Sequence, residues 1–246
     1  MTTGNPVALV TGGARRIGAA IVRRLHDDGH DIALHYRHSS ADAHALAAQL
    51  TASRPGSVLL LQADLDDLTA VTGLVDSTIA HFGRMDALIN NASAFFPTTL
   101  GATSTAQWDA LFAANVRAPF FLAQAAAVHL RRARGAIVNL VDIHGERPLR
   151  DHAVYGASKA ALIHMTSALA LDLAPDVRVN AVAPGAILWP EQGKDVAAQA
   201  RLIDATPLAR IGLPAEVAEA VRWLLRDATY CTGQVIRVDG GRAIAG

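Results

Sequence analysis

Three side chains that can exchange protons lie close together in the sequence: Asp142, Tyr155 and Lys159. Tyr155 and Lys159 are four residues apart, a spacing that places both side chains on one face of a helix. A tyrosine with an unperturbed pKa of about 10 needs a neighbouring cation to exchange protons near neutral pH. The pair therefore predicts a proton-transfer site. The alternative is a packed tyrosine beside a lysine whose ammonium reaches solvent.

A glycine-rich turn near the start of the chain could bind a pyrophosphate. Residues 7–25 read VALVTGGARRIGAAIVRRL, a short apolar strand followed by glycines and a helical pattern. Backbone N–H groups bind phosphate at such a turn, and Gly12 and Gly18 can supply the turn and the close helix packing. Arg16 stands where a third glycine would be usual. It could contact the phosphates, reach a substrate cavity or remain a solvated charge, and the whole motif could be an ordinary strand-to-helix turn.

The end of the second predicted strand indicates which dinucleotide the turn would bind. An acidic residue about 20 positions past the glycine turn would hold the ribose 2′-hydroxyl of NAD, but the chain has Arg37, His38 and Ser39 there. These side chains can hold a 2′-phosphate, the arginine through a charge-assisted contact. We therefore predict NADP(H). Asp64, after the third strand, is predicted either to accept from the adenine amino group or to cap a helix.

Short apolar runs alternate with longer amphipathic stretches along the chain. This alternation predicts βαβ crossovers and a parallel sheet covered on both faces, a doubly wound Rossmann-type α/β fold in a single domain over residues 1–246. The irregular segment around residues 185–210 is predicted to be a substrate lid. The predicted strands are Val7–Val10, Ile32–Tyr36, Val58–Ala63, Ala87–Asn90, Ala136–Val141, Arg178–Ala183 and Gln234–Val238. The predicted helices are Gly18–Asp28, Ala41–Ser53, Leu68–Phe82, Ala106–Leu130, Val154–Leu173 and Pro214–Arg226.

Composition narrows the class of protein. The chain has 246 residues, 51% of them hydrophobic, with 22 basic and 22 acidic side chains. Zero net charge argues against a nucleic-acid binder, and the single Cys231 excludes an intramolecular disulfide. We see no signal peptide, membrane span or metal-ligand spacing, and we expect a cytoplasmic protein without a bound metal. Single histidines such as His26 and His81 are interpreted as surface or core residues, whereas His144 could reach the pocket because it lies two residues beyond Asp142.

Four motifs in this order resemble those of the short-chain dehydrogenase/reductase family over essentially the whole chain. They are the glycine turn, NNAS at residues 90–93, the Tyr155/Lys159 pair and VNAVAPG at residues 179–185. The resemblance implies that Tyr155 donates the proton, that Lys159 holds the nicotinamide ribose and lowers the tyrosine pKa, and that Asn115 completes a proton relay. It also implies a homotetramer. The implied cofactor-binding residues are Gly12, Arg16, Ile17, Gly18, Tyr36, Arg37, His38, Ser39, Asp64, Leu65, Asn91, Ala92, Ser93, Tyr155, Lys159, Pro184 and Gly185.

Several departures from the usual family pattern resemble the pteridine reductases. They are Arg16 in the glycine turn, LHYRHSSADAHALAAQL at residues 34–50, NNASAFFPTTL at residues 90–100, and Asp142, thirteen residues before Tyr155, where the family commonly has serine. This resemblance implies that Phe95 stacks on the pterin opposite the nicotinamide. The implied pterin pocket consists of Arg16, Ser93, Phe95, Asp142 and Tyr155.

An aspartate at position 142 suits imine chemistry. Reduction of a dihydropterin C=N bond delivers hydride to carbon and a proton to nitrogen, and a nearby carboxylate favours the protonated imine and can relay a proton through water or Tyr155. We predict an NADPH-dependent pteridine reductase acting on a dihydropterin, with oxidised pterin or dihydrofolate as further substrates. The alternatives are a broken site in which Asp142 only caps a turn, a carbonyl reductase such as a 3-oxoacyl-carrier-protein reductase, and a non-catalytic NADP(H)-binding regulator.

Overall fold

The computed structural model describes residues 4–188 and 196–245, which contain a seven-stranded parallel sheet. Its strand order is β3-β2-β1-β4-β5-β6-β7. The doubly wound α/β fold predicted from the sequence is confirmed, and each predicted strand is present with bounds that differ by at most one residue. The strands are β1 (Val7–Val10), β2 (Asp31–Tyr36), β3 (Val58–Gln62), β4 (Ala87–Asn90), β5 (Ala136–Leu140), β6 (Arg178–Pro184) and β7 (Val235–Val238).

Helices cover both faces of this sheet. They are α1 (Arg16–Asp27), α2 (Ser40–Ser53), α3 (Leu68–Phe82), α4 (Thr105–Phe112), α5 (Ala118–Ala133), α6 (Ala153–Leu173), α7 (Val196–Asp204) and α8 (Pro214–Arg226). Successive strand residues point to opposite faces. Val10 and Leu34 accordingly pack in a core with α1, α2 and α8, whereas Leu9 and Ala33 pack in a second core with α3, α5 and α6. Two buried faces explain why the strands are apolar on both sides.

The segment predicted as one helix over Ala106–Leu130 contains a change of helix type. Helix α4 ends at Phe112, a single π-helical turn spans Ala113–Arg117, and α5 begins at Ala118. Turns of this kind are frequent at functional sites. This one carries Asn115, which is fully buried, and it brings the Asn115 amide against the loop that follows β4.

The helical stretch Thr105–Ala133 is also long and apolar enough to cross a membrane when judged by length and composition alone. In the structure its buried side chains, including Leu122, Ala126 and Leu130, belong to the core on one face of the sheet. Core helices commonly have this composition. Packing within the fold therefore accounts for the apolar character of the stretch.

The predicted lid is more regular than the sequence interpretation allowed. Helix α7 spans Val196–Asp204, between the end of β6 and α8, while residues 189–195 of the predicted lid lie outside the described residues. Alanine, glutamine, arginine and leucine favour helix, so the sequence of this segment contained the signal. Leu202 of α7 lines the cavity at the carboxyl edge of the sheet.

The contact between the glycine turn and α1 generates a prediction. A Cβ atom at Gly18 would collide with the carbonyl oxygen of Gly12 and lie 2.7 Å from Nδ2 of Asn91. We expect Gly18→Ala to lower the free energy of unfolding by roughly 1–3 kcal/mol through overpacking. The matched control is Gly73→Ala in α3, where a Cβ meets nothing within 4 Å. Alanine should stabilise that helix by about 0.5–1 kcal/mol. Urea unfolding of both variants measures the contrast, and a neutral Gly18→Ala would contradict the close packing.

Candidate active site

A cavity of about 690 Å³ opens at the carboxyl edge of the sheet. It is bordered by the segments that follow β1, β4, β5 and β6, which is where open α/β sheets bind ligands. Its volume suits a small molecule. The predicted site residues that line it are Arg16, Ile17, Asn91, Ser93, Phe95, Asp142, Tyr155, Lys159, Pro184 and Gly185.

A hydrogen bond joins two of the predicted acid–base groups inside this cavity. The hydroxyl of Tyr155, in the first turn of α6, donates to Oδ2 of Asp142 over 2.7 Å. The ammonium of Lys159, one helical turn further on, donates to the backbone carbonyl of Leu140 at 2.9 Å and lies 5.9 Å from the centre of the Tyr155 ring. The structure therefore brings all three residues together, with the carboxylate closer than the ammonium to the phenol.

Burial and the nearby charge of Asp142 shift the pKa values of Tyr155 and Lys159. Burial raises the pKa of Tyr155, and the charge and hydrogen bond of Asp142 raise it further. Burial lowers the pKa of Lys159 to about 8, while the charge of Asp142 acts in the opposite direction. The lowering of the tyrosine pKa by Lys159 stays a prediction, and in this geometry burial and the carboxylate, which touches the phenol, raise that pKa. Tyr155 therefore keeps its proton at neutral pH.

Asp142 also has a structural role. Its Oδ1 accepts from the backbone N–H of His144 at 2.8 Å and so caps the 3₁₀ turn Ile143–Gly145. The alternative in which Asp142 only caps a turn was therefore half correct: one oxygen caps the turn and the other contacts Tyr155. The cap fixes the orientation of the carboxylate, which points its second oxygen at the phenol.

The side chain of Asn115 holds the loop after β4. Its Oδ1 accepts from the hydroxyl of Ser93 and from the N–H of Ala94, both at 2.9 Å, and its Nδ2 donates to Ser158 at 2.9 Å. Among the hydrogen bonds of residues 4–188 and 196–245, none joins the Asn115 side chain to Lys159. The proton relay through Asn115 stays a prediction, and the contacts seen here are those of a residue that positions the cavity wall.

The glycine-rich turn is tied to the end of β4. Gly12 has a φ of 61°, in the left-handed region that favours glycine. The side chain of Asn91 donates to the carbonyl oxygens of Thr11 at 2.9 Å and Gly12 at 3.0 Å. In return, the Thr11 hydroxyl accepts from the N–H groups of Asn91 and Ala92. Gly18 packs against the same turn. The result is a rigid backbone turn at the start of a helix, which is the kind of site that binds a pyrophosphate.

Arg16 adopts a strained conformation at the mouth of this cradle. Its φ is 52°, in the left-handed region, which costs a residue with a side chain about 1–2 kcal/mol. This explains why glycine would be usual at the position. A strained residue that lines a cavity is characteristic of a functional site.

A buried histidine that the sequence interpretation did not single out supports the turn from below. His35, in β2, is 1% exposed. Its Nδ1 accepts from the N–H of Gly12 at 3.1 Å, so the ring proton is on Nε2, which lies 3.2 Å from the carbonyl oxygen of Ala63. Burial lowers the pKa of His35, and the neutral ring thus links the turn after β1 to the end of β3.

The side chains predicted to hold a 2′-phosphate lie at the surface beyond β2. Arg37 and His38 are exposed, and Nε of Arg37 donates to Nε2 of His38 at 2.7 Å. Nε of Arg37 also lies 3.4 Å from Oδ2 of Asp64. Ser39 comes directly before α2. The structure therefore gathers these residues at one corner of the sheet.

The sequence suggested two roles for Asp64, binding adenine or capping a helix, and the structure excludes the second. Oδ1 of Asp64 accepts from the N–H of Asp66 at 3.1 Å, and the cap of α3 is Asp67 instead. The helix-capping alternative for Asp64 was therefore wrong. Tyr36 and Leu65 were also predicted to bind the cofactor. Each is only 7% exposed, so little of either side chain is accessible to a ligand.

Phe95 presents an aromatic surface at the cavity. The side chain is 57% exposed. Its ring stacks on His152 with centroids 4.8 Å apart and meets Tyr155 edge-on at 4.7 Å. The stacking on His152 fixes the orientation of the ring, and a flat ligand can pack on the accessible surface.

Three cavity or support residues were missed by sequence reasoning. A single polar residue inside the apolar strand β2 is a signal for His35, because a buried polar side chain needs partners. His152 and Arg242 carry no comparable signal, since their places depend on how distant segments meet. His144, which the sequence connected to the pocket only through its closeness to Asp142, does line the cavity.

The contact between His35 and Gly12 generates a pH prediction. Because the folded-state pKa of His35 is lowered, its contribution to stability is present above its unfolded value of about 6.5. That contribution is lost as the pH falls toward the folded value, when protonation of Nδ1 breaks the bond from Gly12. We expect His35→Leu to flatten the acid side of the stability profile and to raise the Kd of NADPH at neutral pH, since the Gly12 N–H loses its acceptor at a cost of roughly 1–3 kcal/mol.

His30→Leu is the matched control for this prediction. His30 is buried at the amino end of β2, and burial lowers its pKa as well. Both variants should flatten the acid stability profile in urea unfolding between pH 5 and 8, but only His35→Leu should change NADPH affinity in a fluorescence titration. An unchanged Kd in His35→Leu would show that His35 does not position the turn.

Comparisons with known proteins identify the family. A family model described as enoyl-(acyl carrier protein) reductase matches residues 12–243. Pteridine reductase 1 of Leishmania tarentolae is 36% identical, covering 97% of this chain and 96% of its own length. A putative ketoacyl reductase of the granaticin polyketide synthase of Streptomyces violaceoruber is 38% identical (96% and 95%), and a 3-oxoacyl-[acyl-carrier-protein] reductase of Synechocystis is 36% identical (96% and 96%). The chain belongs to the short-chain dehydrogenase/reductase family of NAD(P)H-dependent oxidoreductases.

Proposed function

We propose that this oxidoreductase is an NADPH-dependent pteridine reductase that reduces a C=N bond of a dihydropterin. The observation that carries the proposal is the 2.7 Å hydrogen bond from Tyr155 to Asp142, in a cavity that also presents the exposed ring of Phe95. Pteridine reductase 1 and the ketoacyl reductases match the chain at similar identity. The choice between their substrates therefore rests on the chemistry of the cavity.

The substrate proposed here needs a proton at nitrogen. Reduction of the C=N bond forms one C–H and one N–H bond, and NADPH when bound supplies the hydride. A nitrogen that gains positive charge is stabilised by a nearby carboxylate, which Asp142 provides. The flat heterocycle packs on Phe95, and the amino group and ring N–H of a pterin edge can donate to carboxylate oxygen.

The proton reaches the substrate nitrogen through the pair of Tyr155 and Asp142. Loss of the phenol proton alone would leave a phenolate 2.7 Å from a carboxylate, and two like charges at that distance repel strongly. Transfer becomes favourable when a proton relayed through water reaches the Tyr155 oxygen as Tyr155 donates to nitrogen. The carboxylate and the phenol then end the step in the charge states in which they began, and the proton comes from water that enters the cavity.

Lys159 contributes a positive charge behind this pair. It is buried at 2% exposure and held by the carbonyl of Leu140 at 2.9 Å. With a pKa of about 8 it is mostly charged at neutral pH. A cation in this position offsets the negative charge of Asp142, and its remaining N–H groups can bind the hydroxyl groups of a ribose.

The residues at the β1 and β2 corner fit NADPH. A Cβ at Gly18 would collide with the turn, so glycine at this position lets α1 pack close to it. Backbone N–H groups at such a turn before a helix can bind a pyrophosphate. The exposed guanidinium of Arg37 donates to His38 and forms an ion pair with Asp64, with 3.4 Å between Nε and Oδ2. A 2′-phosphate would offer this guanidinium a stronger partner than a surface carboxylate does.

The choice of cofactor is open to test at Arg37. We expect kcat/KM for NADPH to exceed that for NADH at least tenfold, because a charge-assisted phosphate contact contributes roughly 1.5–3 kcal/mol. Arg37→Ala should raise the KM for NADPH and leave NADH use nearly unchanged. Arg150→Ala, which removes another exposed arginine, is the control and should change neither. Equal use of both cofactors by the wild type would contradict the proposal.

The role of Asp142 is tested by exchanging it for the residue common in the family. Asp142→Ser should lower the kcat for dihydropterin by roughly 10²–10⁴, the usual contribution of one acid–base group. Asp142→Asn, which keeps the shape but removes the carboxylate, should be similarly poor. Tyr155→Phe should abolish turnover while NADPH still binds. Phe95→Ala should instead raise the KM for the pterin through lost stacking.

Steady-state NADPH oxidation with one dihydropterin and one acetoacetyl thioester distinguishes the alternatives. A carbonyl reductase would prefer the thioester, and a broken site would be inactive on pterin and gain ketone activity in Asp142→Ser. A non-catalytic regulator would bind NADPH and turn over neither compound. An Asp142→Ser protein that reduces dihydropterin as fast as wild type would refute the role assigned to the carboxylate.

A further inference from the structure

The far end of the cavity carries a cation that the proposed chemistry does not use. Arg242 lies in the turn after β7 and lines the cavity together with His144, Leu149 and Leu202. In the strand order, β4, β5 and β6 separate β7 from β1, whose glycine turn is the proposed pyrophosphate site. Arg242 is therefore placed on the substrate side of the cavity and away from the phosphate side.

The backbone of this arginine is held in place by several hydrogen bonds. Its carbonyl oxygen accepts from Nη1 of Arg147 at 2.5 Å, and its N–H donates to the carbonyl of Asp239 at 3.2 Å. The carboxylate of Asp239 accepts from the N–H groups of Gly241 at 2.9 Å and Ala243 at 2.7 Å. At Arg242 these bonds engage only the main chain, so replacing its side chain leaves them in place.

The guanidinium of Arg242, unlike its main chain, does not hold the turn in place. Within residues 4–188 and 196–245, no hydrogen bond or ion pair holds it. Burial lowers its pKa and the charge of Arg147 lowers it further, while Asp142 and Asp239 act in the opposite direction. A partly desolvated guanidinium that opens on a cavity gains most from an anionic ligand, because bonds between guanidinium and carboxylate or phosphate are about twice as strong as neutral hydrogen bonds.

We infer that Arg242 determines substrate specificity by pairing with an anionic group, a carboxylate or a phosphate, on the side chain of the substrate. This inference rests on the proposed function. With the heterocycle beside Phe95 and Asp142, a substituent would run past Leu149 and Leu202 and bring its end to Arg242. The preferred dihydropterin would then be one whose side chain carries negative charge.

Three dihydropterins with the same ring test this inference: one with a neutral hydroxyalkyl side chain, the same compound phosphorylated, and dihydrofolate, whose side chain ends in carboxylates. We expect Arg242→Gln to lower kcat/KM for an anionic compound about 10- to 100-fold, to change that for the neutral compound less than about threefold, and to leave the KM for NADPH unchanged. Arg242→Lys should restore part of the loss. Arg132→Gln, at an exposed position on α5, is the matched control and should have no effect. The anion that suffers the larger loss is the one that the site recognises.

The outcomes separate this inference from the proposed function. Equal losses on the neutral and anionic compounds would mean that Arg242 acts through Asp142 or the fold, and would overturn the inference. A wild type that reduces none of the three would refute the proposed function. In that case calorimetric binding of the same compounds to the NADP⁺-saturated protein decides the matter: a loss in Arg242→Gln confined to the anionic compounds supports the inference, and equal affinities or no binding overturn it.

Discussion

The arrangement of the cavity depends on the hydrogen bond between Tyr155 and Asp142. It requires the first turn of α6 to lie against Asp142, two residues beyond the end of β5, and the packing of α6 on the sheet fixes that separation. The turn after β5 adds its own constraint, because the N–H of His144 holds the other carboxylate oxygen. A phenolate this close to the carboxylate would be strongly repelled, so the contact keeps the proton on Tyr155.

The cofactor side of the cavity is organised by a different requirement, that buried polar groups find partners. His35 satisfies the Gly12 N–H and links it to the carbonyl of Ala63, so the turn after β1 is tied to two neighbouring strands. Asn91 ties the same turn to β4. These side chains hold backbone in a conformation with φ of 61° at Gly12 and 52° at Arg16. The strain at Arg16 is sustained because the surrounding contacts determine the path of the chain.

How far the sequence predicts this molecule depends on the range of the interactions involved. The strands could be predicted from local apolar runs. The roles of Gly12 and Gly18 could be predicted from the short-range geometry of a turn. The proximity of Asp142 and Tyr155 was predicted from a resemblance, since the twelve residues between them are mostly loop and turn. Local pattern could not reveal that burial and Asp142 would raise the tyrosine pKa, because that depends on which charge lies nearer in space. Nor could it place His152 against Phe95 or Arg242 at the cavity, since each comes from a remote part of the chain.

The sign of the charge at position 142 bears directly on what the cavity can reduce. A ketone gains negative charge on oxygen as hydride arrives, and a hydroxyl donor stabilises that charge. A carboxylate that already accepts the Tyr155 proton over 2.7 Å would repel it. An imine nitrogen instead gains a proton, and the same carboxylate stabilises the cation. One side chain thus favours one substrate class and disfavours the other, and specificity is the difference between the two effects. Under the proposed function, this one residue accounts for the change of substrate class in a site whose Tyr155 and Lys159 resemble those of the wider family.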